Sequence, residues 1–134
     1  MKADRVVDTN VLSFLFRQDS RAEAYLSYLE NKAIAISFQT LAELELWALV
    51  GHWGTQRKAK LAQFIAPFGI AVYSQRLGQR WAEATFSARR QGKPIGSADA
   101  WIAATALELR APLVTHNPAD FAGVEGLQII STVK

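Results

Sequence analysis

Three carboxylates, far apart in the chain, carry most of its potential chemistry: Asp8, Glu43 and Asp99. Each falls where a secondary-structure element starts or stops. Asp8 closes the short apolar run Arg5-Val6-Val7, Glu43 lies on the first turn of a helix in Ser37-Phe38-Gln39-Thr40-Leu41-Ala42-Glu43, and Asp99 opens Ser97-Ala98-Asp99-Ala100-Trp101-Ile102. In a parallel α/β sheet, strand ends and the starts of the following helices converge on one edge. Carboxylates gathered there repel one another, and a hard divalent cation bound through oxygen, Mg²⁺ or Mn²⁺, relieves that repulsion while keeping several waters. An ion so held makes a hydrolytic nucleophile from water near neutral pH, with no histidine base or serine triad required. The chain has no cysteine, which excludes disulfides, zinc–thiolate sites and thiol catalysis.

Each acid also has a purely structural use. Asp8 precedes Thr9-Asn10 and can cap the next helix, a common role for aspartate at such a junction. Thr40-Leu41-Ala42-Glu43 fits a capping box, in which a glutamate at the third helical position reaches back to the cap. Asp99 sits in a first turn, where the helix dipole favours negative charge by about 0.3–1 kcal/mol. The joint placement is more specific than any single acid, because unrelated structural roles would have to coincide on one edge.

A fourth segment should reach the same edge: Val114-Thr115-His116-Asn117-Pro118-Ala119-Asp120-Phe121 follows an apolar strand. Asn117 offers a further oxygen ligand, while Thr9, Thr115 and Asp120 are candidates to orient water or complete the shell. Asn117 before Pro118 equally suits an Asx turn, and Asp120 a turn position. His116 reads as a surface residue beside that turn.

The elements that must position these groups alternate between strand and helix, which predicts βαβ units and a mainly parallel sheet of about five strands flanked by helices. The strands are expected at Arg5–Val7, Ala33–Ser37, Gly69–Tyr73, Pro112–Thr115 and Leu127–Ser131. Helices are expected after a Thr9 or Asn10 cap, from an Asp19 or Ser20 cap to Glu30, from Thr40 to Val50, up to Ile65 and over Gln75–Gln91. A last helix starts from a Ser97 cap. Its run Trp101-Ile102-Ala103-Ala104-Thr105-Ala106-Leu107 is apolar nearly all round, the mark of a buried helix.

The 134 residues suit one domain, 1–134, and half of them are hydrophobic, an ordinary globular balance. No apolar run is long enough to span a bilayer. Met1–Arg5 leads straight into a strand without the apolar core of a signal peptide, so a cytoplasmic location is expected. The net charge of +3 is mild, but Arg57, Lys58 and Lys60 cluster, as do Arg89, Arg90 and Lys93. Basic residues around an acidic pocket suit a substrate rich in phosphate.

With these residues in place, the chain resembles the PIN-domain ribonucleases, and among them the VapC toxins of toxin–antitoxin pairs. Val7-Asp8-Thr9-Asn10, Ile36-Ser37 through Thr40 to Glu43, Gly92 through Ala104, and Leu113 through Phe121 are similar to the family's four motifs, in order, over essentially the whole length. The resemblance implies a PIN-like fold and Mg²⁺- or Mn²⁺-dependent hydrolysis of RNA, leaving a 5′-phosphate and a 3′-hydroxyl. Asp8 and Asp99 would be the principal ligands, Glu43 a further one, and Asn117 would complete the set. It also implies a homodimer and a cognate antitoxin that covers a groove near the first and third helices, where Phe14, Phe16, Leu46, Trp47 and Leu49 exceed the needs of one buried face. Trp53 and Trp81 are core or dimer contacts on this reading. Arg89, Arg90 and Lys93 are candidates to hold the RNA backbone. Many family members carry aspartate at the position of Asn117, and the neutral residue weighs against a second fully liganded metal. Two rival readings are a catalytically inactive PIN-like module that binds RNA or protein, and an aspartyl phosphatase or phosphotransferase using Asp8 covalently. That second chemistry usually wants another acid two residues on, where this chain has Asn10. A nuclease for single-stranded DNA is not separable from a ribonuclease on these residues.

Overall fold

The computed structural model describes residues 1–133. Five short strands form one sheet: β1 (Arg5–Val7), β2 (Ile34–Ser37), β3 (Gly69–Ala71), β4 (Leu113–Val114) and β5 (Ile129–Ile130). Their order is β3-β2-β1-β4-β5, and every pair is parallel. The expected strands are all present, β1 with the expected bounds and the other four shorter by one to three residues.

Six helices pack around the sheet: α1 (Thr9–Arg17), α2 (Glu23–Leu29), α3 (Phe38–Val50), α4 (Thr55–Ile65), α5 (Gln75–Arg90) and α6 (Ser97–Leu109). Alternation along the central strands sorts the two faces. Val7, Ile36 and Val114 pack with Leu12, Tyr25, Leu44 and Leu61 beneath α1 to α4. Val6, Ala35 and Leu113 face the other way, against Ile102, Ala103, Ala106 and Ala84 of α6 and α5. A sheet covered on both faces explains why Val6 and Val7, adjacent in sequence, are both buried. Alanines along α6 let it lie close to the sheet and to α5.

Four boundaries differ from expectation. The helix expected from Asp19 to Glu30 is split, because Asp19 caps a short 3-10 turn, Ser20–Ala22, before α2 begins. Helix α1 is capped by Asp8, the structural role open to that residue, and not by Thr9 or Asn10. Helix α6 starts at Ser97 with Gly96, not Ser97, at the cap. The largest difference is in α3: β2 runs without a loop into the helix, and Ser37 caps it by accepting the Gln39 N–H at 3.0 Å. Thr40 is therefore inside the helix. Glu43 stands six residues beyond the cap, so the capping-box role disappears.

Candidate active site

Parallel strands deliver their carboxyl ends to one edge, and the chain reverses its direction of growth at β1, which sits between β2 and β4. A crevice at such a switch point is where open α/β sheets bind ligands. Asp8 leaves the end of β1 at that crevice, and its main-chain N–H is tied to the Val114 carbonyl of β4 at 2.9 Å. The side chain is only 5% exposed. One carboxylate oxygen, Oδ1, accepts the Thr9 N–H at 2.7 Å, and the other, Oδ2, accepts the Thr115 hydroxyl at 2.7 Å.

Burial pushes the Asp8 carboxyl above its ordinary pKa, the Thr115 and Thr9 bonds pull it down, and the charges of Glu43 and Asp120 push it up again. Asp99, half-buried in the first turn of α6, is pushed up to about 6 by desolvation, then by the charges of Asp8, Asp120 and Glu43. Asp8 thus feels the charges of Glu43 and Asp120, and Asp99 those of Asp8, Asp120 and Glu43, although the four come from separate elements. Asp120, exposed on the 3-10 turn Pro118–Phe121 that follows β4, is drawn into this group more firmly than its sequence context indicated.

The neighbours are held by specific bonds. Gln39, one turn before Glu43 on α3, donates its side-chain amide to Glu43 Oε1 at 3.1 Å. The Thr9 hydroxyl is directed to Thr40 at 3.0 Å, so its observed bond ties the start of α1 to α3. Asn117 is exposed, and its N–H donates to Thr115 Oγ1 at 3.1 Å. His116 is not the surface residue expected: its Nδ1 lies 2.6 Å from the hydroxyl of buried Tyr25, and its ring packs edge-on against Phe14 and Tyr25. The His116 N–H also donates to Asn10 Oδ1 at 3.3 Å. The roles of Tyr25 and Thr40 left no mark in the sequence, since both act across long separations. Gln39 did leave one, the four-residue spacing to Glu43.

Arg89 and Arg90 end α5, and Lys93 lies on the segment leading to Asp99; all three are exposed and in no ion pair among the described residues. On the apolar surface, Phe14 enters the core and Phe16 and Trp47 pack against it, whereas Leu46, Leu49 and Val50 of α3 stay exposed. Trp53 stacks on Phe16 at 5.6 Å, and Trp81 packs on Trp101 at 5.5 Å.

The donor set is carboxylate, amide and hydroxyl oxygen, with His116 Nδ1 committed to Tyr25, which fits a hard divalent cation. No three Asp, Glu or His side chains among the described residues close into a ready-made cage. A cation here would therefore keep part of its water, as Mg²⁺ does.

Residues 5–127 match the PIN domain. The chain belongs to the PIN domain family. Its PIN-like fold is shared with solved toxin–antitoxin complexes: VapBC2 of Rickettsia felis, bound to a DNA fragment from its promoter, superposes with a TM-score of 0.82 at 26% identity, over 95% of this chain and 97% of that one. VapBC-1 of nontypeable Haemophilus influenzae gives 0.74 at 26% identity, over 95% and 96%. Ribonuclease VapC1 of H. influenzae strain R2866 is 30% identical over 92% of this chain and 93% of its own. The tRNA(fMet)-specific endonuclease VapC of Shigella flexneri is 25% identical over 92% and 93%. No helix among the described residues is long and apolar enough to cross a membrane.

Proposed function

We propose that this PIN-family chain is a metal-dependent endoribonuclease and the toxin of a toxin–antitoxin pair, working in the cytoplasm as a single domain over residues 1–134. The observation that carries the reading is the placement of buried Asp8 at the end of β1 and of Asp99 in the first turn of α6 by the sheet's switch point, where burial and the charges of Asp8, Asp120 and Glu43 push the Asp99 carboxyl up. Such an arrangement is costly to the fold and gains a purpose when positive charge is bound. The likeness over nearly the whole chain to Ribonuclease VapC1 supports the activity, and the likeness to VapBC complexes supports an antitoxin partner.

Asp8 and Asp99 would hold Mg²⁺ or Mn²⁺, with Glu43 and Asn117 completing the set. When bound, the ion activates a water and offsets charge developing on the phosphate. Thr115 fixes the Asp8 carboxylate in orientation, Gln39 does the same for Glu43, and Thr9 anchors the helix that begins at the site. Asp120 adds negative charge at the rim and orients water. Arg89, Arg90 and Lys93 neutralise phosphates of the RNA on the approach to Asp99. A covalent aspartyl phosphotransferase is disfavoured because the position two beyond Asp8 is Asn10, whose side-chain oxygen is engaged with the His116 N–H. The products would be a 5′-phosphate and a 3′-hydroxyl, and the working form a homodimer capped by its antitoxin.

The test is cleavage of total RNA by the purified, antitoxin-free protein with Mg²⁺, with Mn²⁺ and with chelator. Cleavage at discrete sites is expected with metal only, and is expected to vanish in Asp99→Asn. Equal cleavage by that variant, or none by a folded wild-type protein under any condition, overturns the reading.

A further inference from the structure

Half a helical turn from Asp99, the other side of the α6 N-terminus carries a cluster of four aromatic rings that the hydrolytic site does not use. Trp101 is its centre. Phe38, the first residue of α3, meets it edge-on at 5.3 Å, Tyr73 at 5.9 Å and 79°, and Trp81 of α5 at 5.5 Å. Three of these rings come from the same sheet edge as the acids: Phe38 directly follows β2, Tyr73 lies two residues past β3, and Trp101 two residues past Asp99. The Trp81 indole N–H donates to the Ser97 carbonyl at 3.2 Å, which fixes the cluster to the start of α6.

Tyr73 is the exposed member, with 63% of its surface open. An aromatic ring so exposed is normally free to swing, but this one is seated. A methyl group added at Gly78 would lie 3.1 Å from the Tyr73 hydroxyl oxygen and 3.4 Å from its ring. Gly78 is inside α5, where glycine is destabilising relative to alanine. The missing side chain leaves room for the phenol, so Tyr73 rests on α5 and leans edge-first on Trp101 with its remaining surface open.

We propose that Tyr73, backed by Trp101 and seated on Gly78, is a stacking site for an unpaired nucleobase of the strand whose phosphate reaches Asp8 and Asp99. The proposal rests on the nuclease reading above and adds to it the residue that would hold an unpaired base beside the site. Every base offers a π-face, so a stacking seat selects for an unpaired strand rather than for sequence. A duplex crossing the start of α6 would keep its bases stacked on one another and leave the seat empty. The helix is about 10–12 Å across with side chains, and Tyr73 stands a further 5.9 Å from Trp101, so acids and rings are spanned by a few nucleotides of one strand.

The experiment uses a short single-stranded oligoribonucleotide carrying one fluorescent 2-aminopurine, in chelator so that nothing is cut, with the same strand in duplex as control. Wild-type protein should bind the single strand and quench the base, and should not quench the duplex. Tyr73→Ala should weaken binding about tenfold, the effect of removing one stacking partner. Tyr73→Phe should restore both affinity and quenching, and Gly78→Ala, which crowds the ring, should fall between. In the total-RNA assay Tyr73→Ala should raise KM more than it lowers kcat. If wild type cleaves RNA but Tyr73→Ala binds and quenches like wild type, the stacking site is wrong and the nuclease reading stands. If Tyr73→Ala instead breaks self-association in sedimentation without changing the quench, the surface is a protein contact and the proposal falls. If the wild-type protein neither cleaves nor binds the single strand, the nuclease reading fails and takes this one with it.

Discussion

The Thr115 hydroxyl donates to Asp8 Oδ2 at 2.7 Å across the β1–β4 pair, joining residues 107 positions apart. A buried carboxylate with a fixed donor on each oxygen keeps its orientation whether or not a cation is present. This bond also offsets part of the burial that raises the Asp8 pKa. Thr115→Val keeps the shape and removes the donor. It is expected to lower cleavage about 10–100-fold, the usual effect of losing a group that orients a metal ligand. Stability should fall by about 1–2 kcal/mol from the weakened satisfaction of a buried acceptor. Thr115→Ser should recover most of both, as read by cleavage against Mg²⁺ concentration and by urea unfolding.

Asp99→Asn should abolish cleavage and yet stabilise the metal-free protein. In the native state the Asp99 carboxyl titrates near 6, against 3.8 for an unperturbed group. The folded protein therefore binds more protons than the unfolded chain between these values, and wild-type stability rises as pH falls through that window. Asparagine mimics the protonated form. Its advantage should be largest above pH 6, about 1 kcal/mol once solvent screening of a half-exposed group is allowed for, and absent below pH 4. Urea unfolding of both proteins in chelator at pH 7.5, 5 and 4 checks the sign. Added Mg²⁺ should raise the midpoint of wild type more than that of the variant.

Asp8 caps α1 and, on the proposed reading, also holds the metal, and substitution can separate the two roles. As the cap of α1 it accepts the Thr9 N–H, and asparagine can do the same. Asp8→Asn should fold with near-normal stability and show no cleavage. Asp8→Ala should lose the cleavage and also about 1 kcal/mol of stability with the cap. Thermal unfolding of the two variants side by side is the measurement.

Tyr25 is fully buried, and its hydroxyl meets His116 Nδ1 and accepts the Thr132 N–H at 3.3 Å. Tyr25→Phe leaves the ring packing intact but strands those partners. A loss of about 1–3 kcal/mol is expected from the unsatisfied groups, measured as a shift of the urea midpoint at unchanged slope.

Leu49 is 66% exposed on α3, beside exposed Leu46 and Val50. Leu49→Glu should leave stability within about 0.5 kcal/mol, as surface substitutions usually do. If the antitoxin covers this stretch of α3, affinity for it should fall at least tenfold in a binding titration, with RNA cleavage by the free protein unchanged.

The sequence by itself determined the parallel sheet and the edge on which the acids gather. Apolar runs ending in Asp8, Ser37 and Thr115 specify buried parallel strands, and such strands bring their carboxyl ends together whatever the details of packing. Only the tertiary structure decided where α3 starts. Ser37 and Thr40 are both competent caps, and the choice fell to Ser37 because Thr40 is buried against Thr9 inside the helix. The same holds for the burial of His116 on Tyr25 and for the hold of Thr115 on Asp8. Those contacts join residues dozens of positions apart, and no local propensity records them. Residue types and periodicity fix what a segment becomes and which edge it reaches. Which hydroxyl meets which carboxylate depends on how the layers close over the sheet.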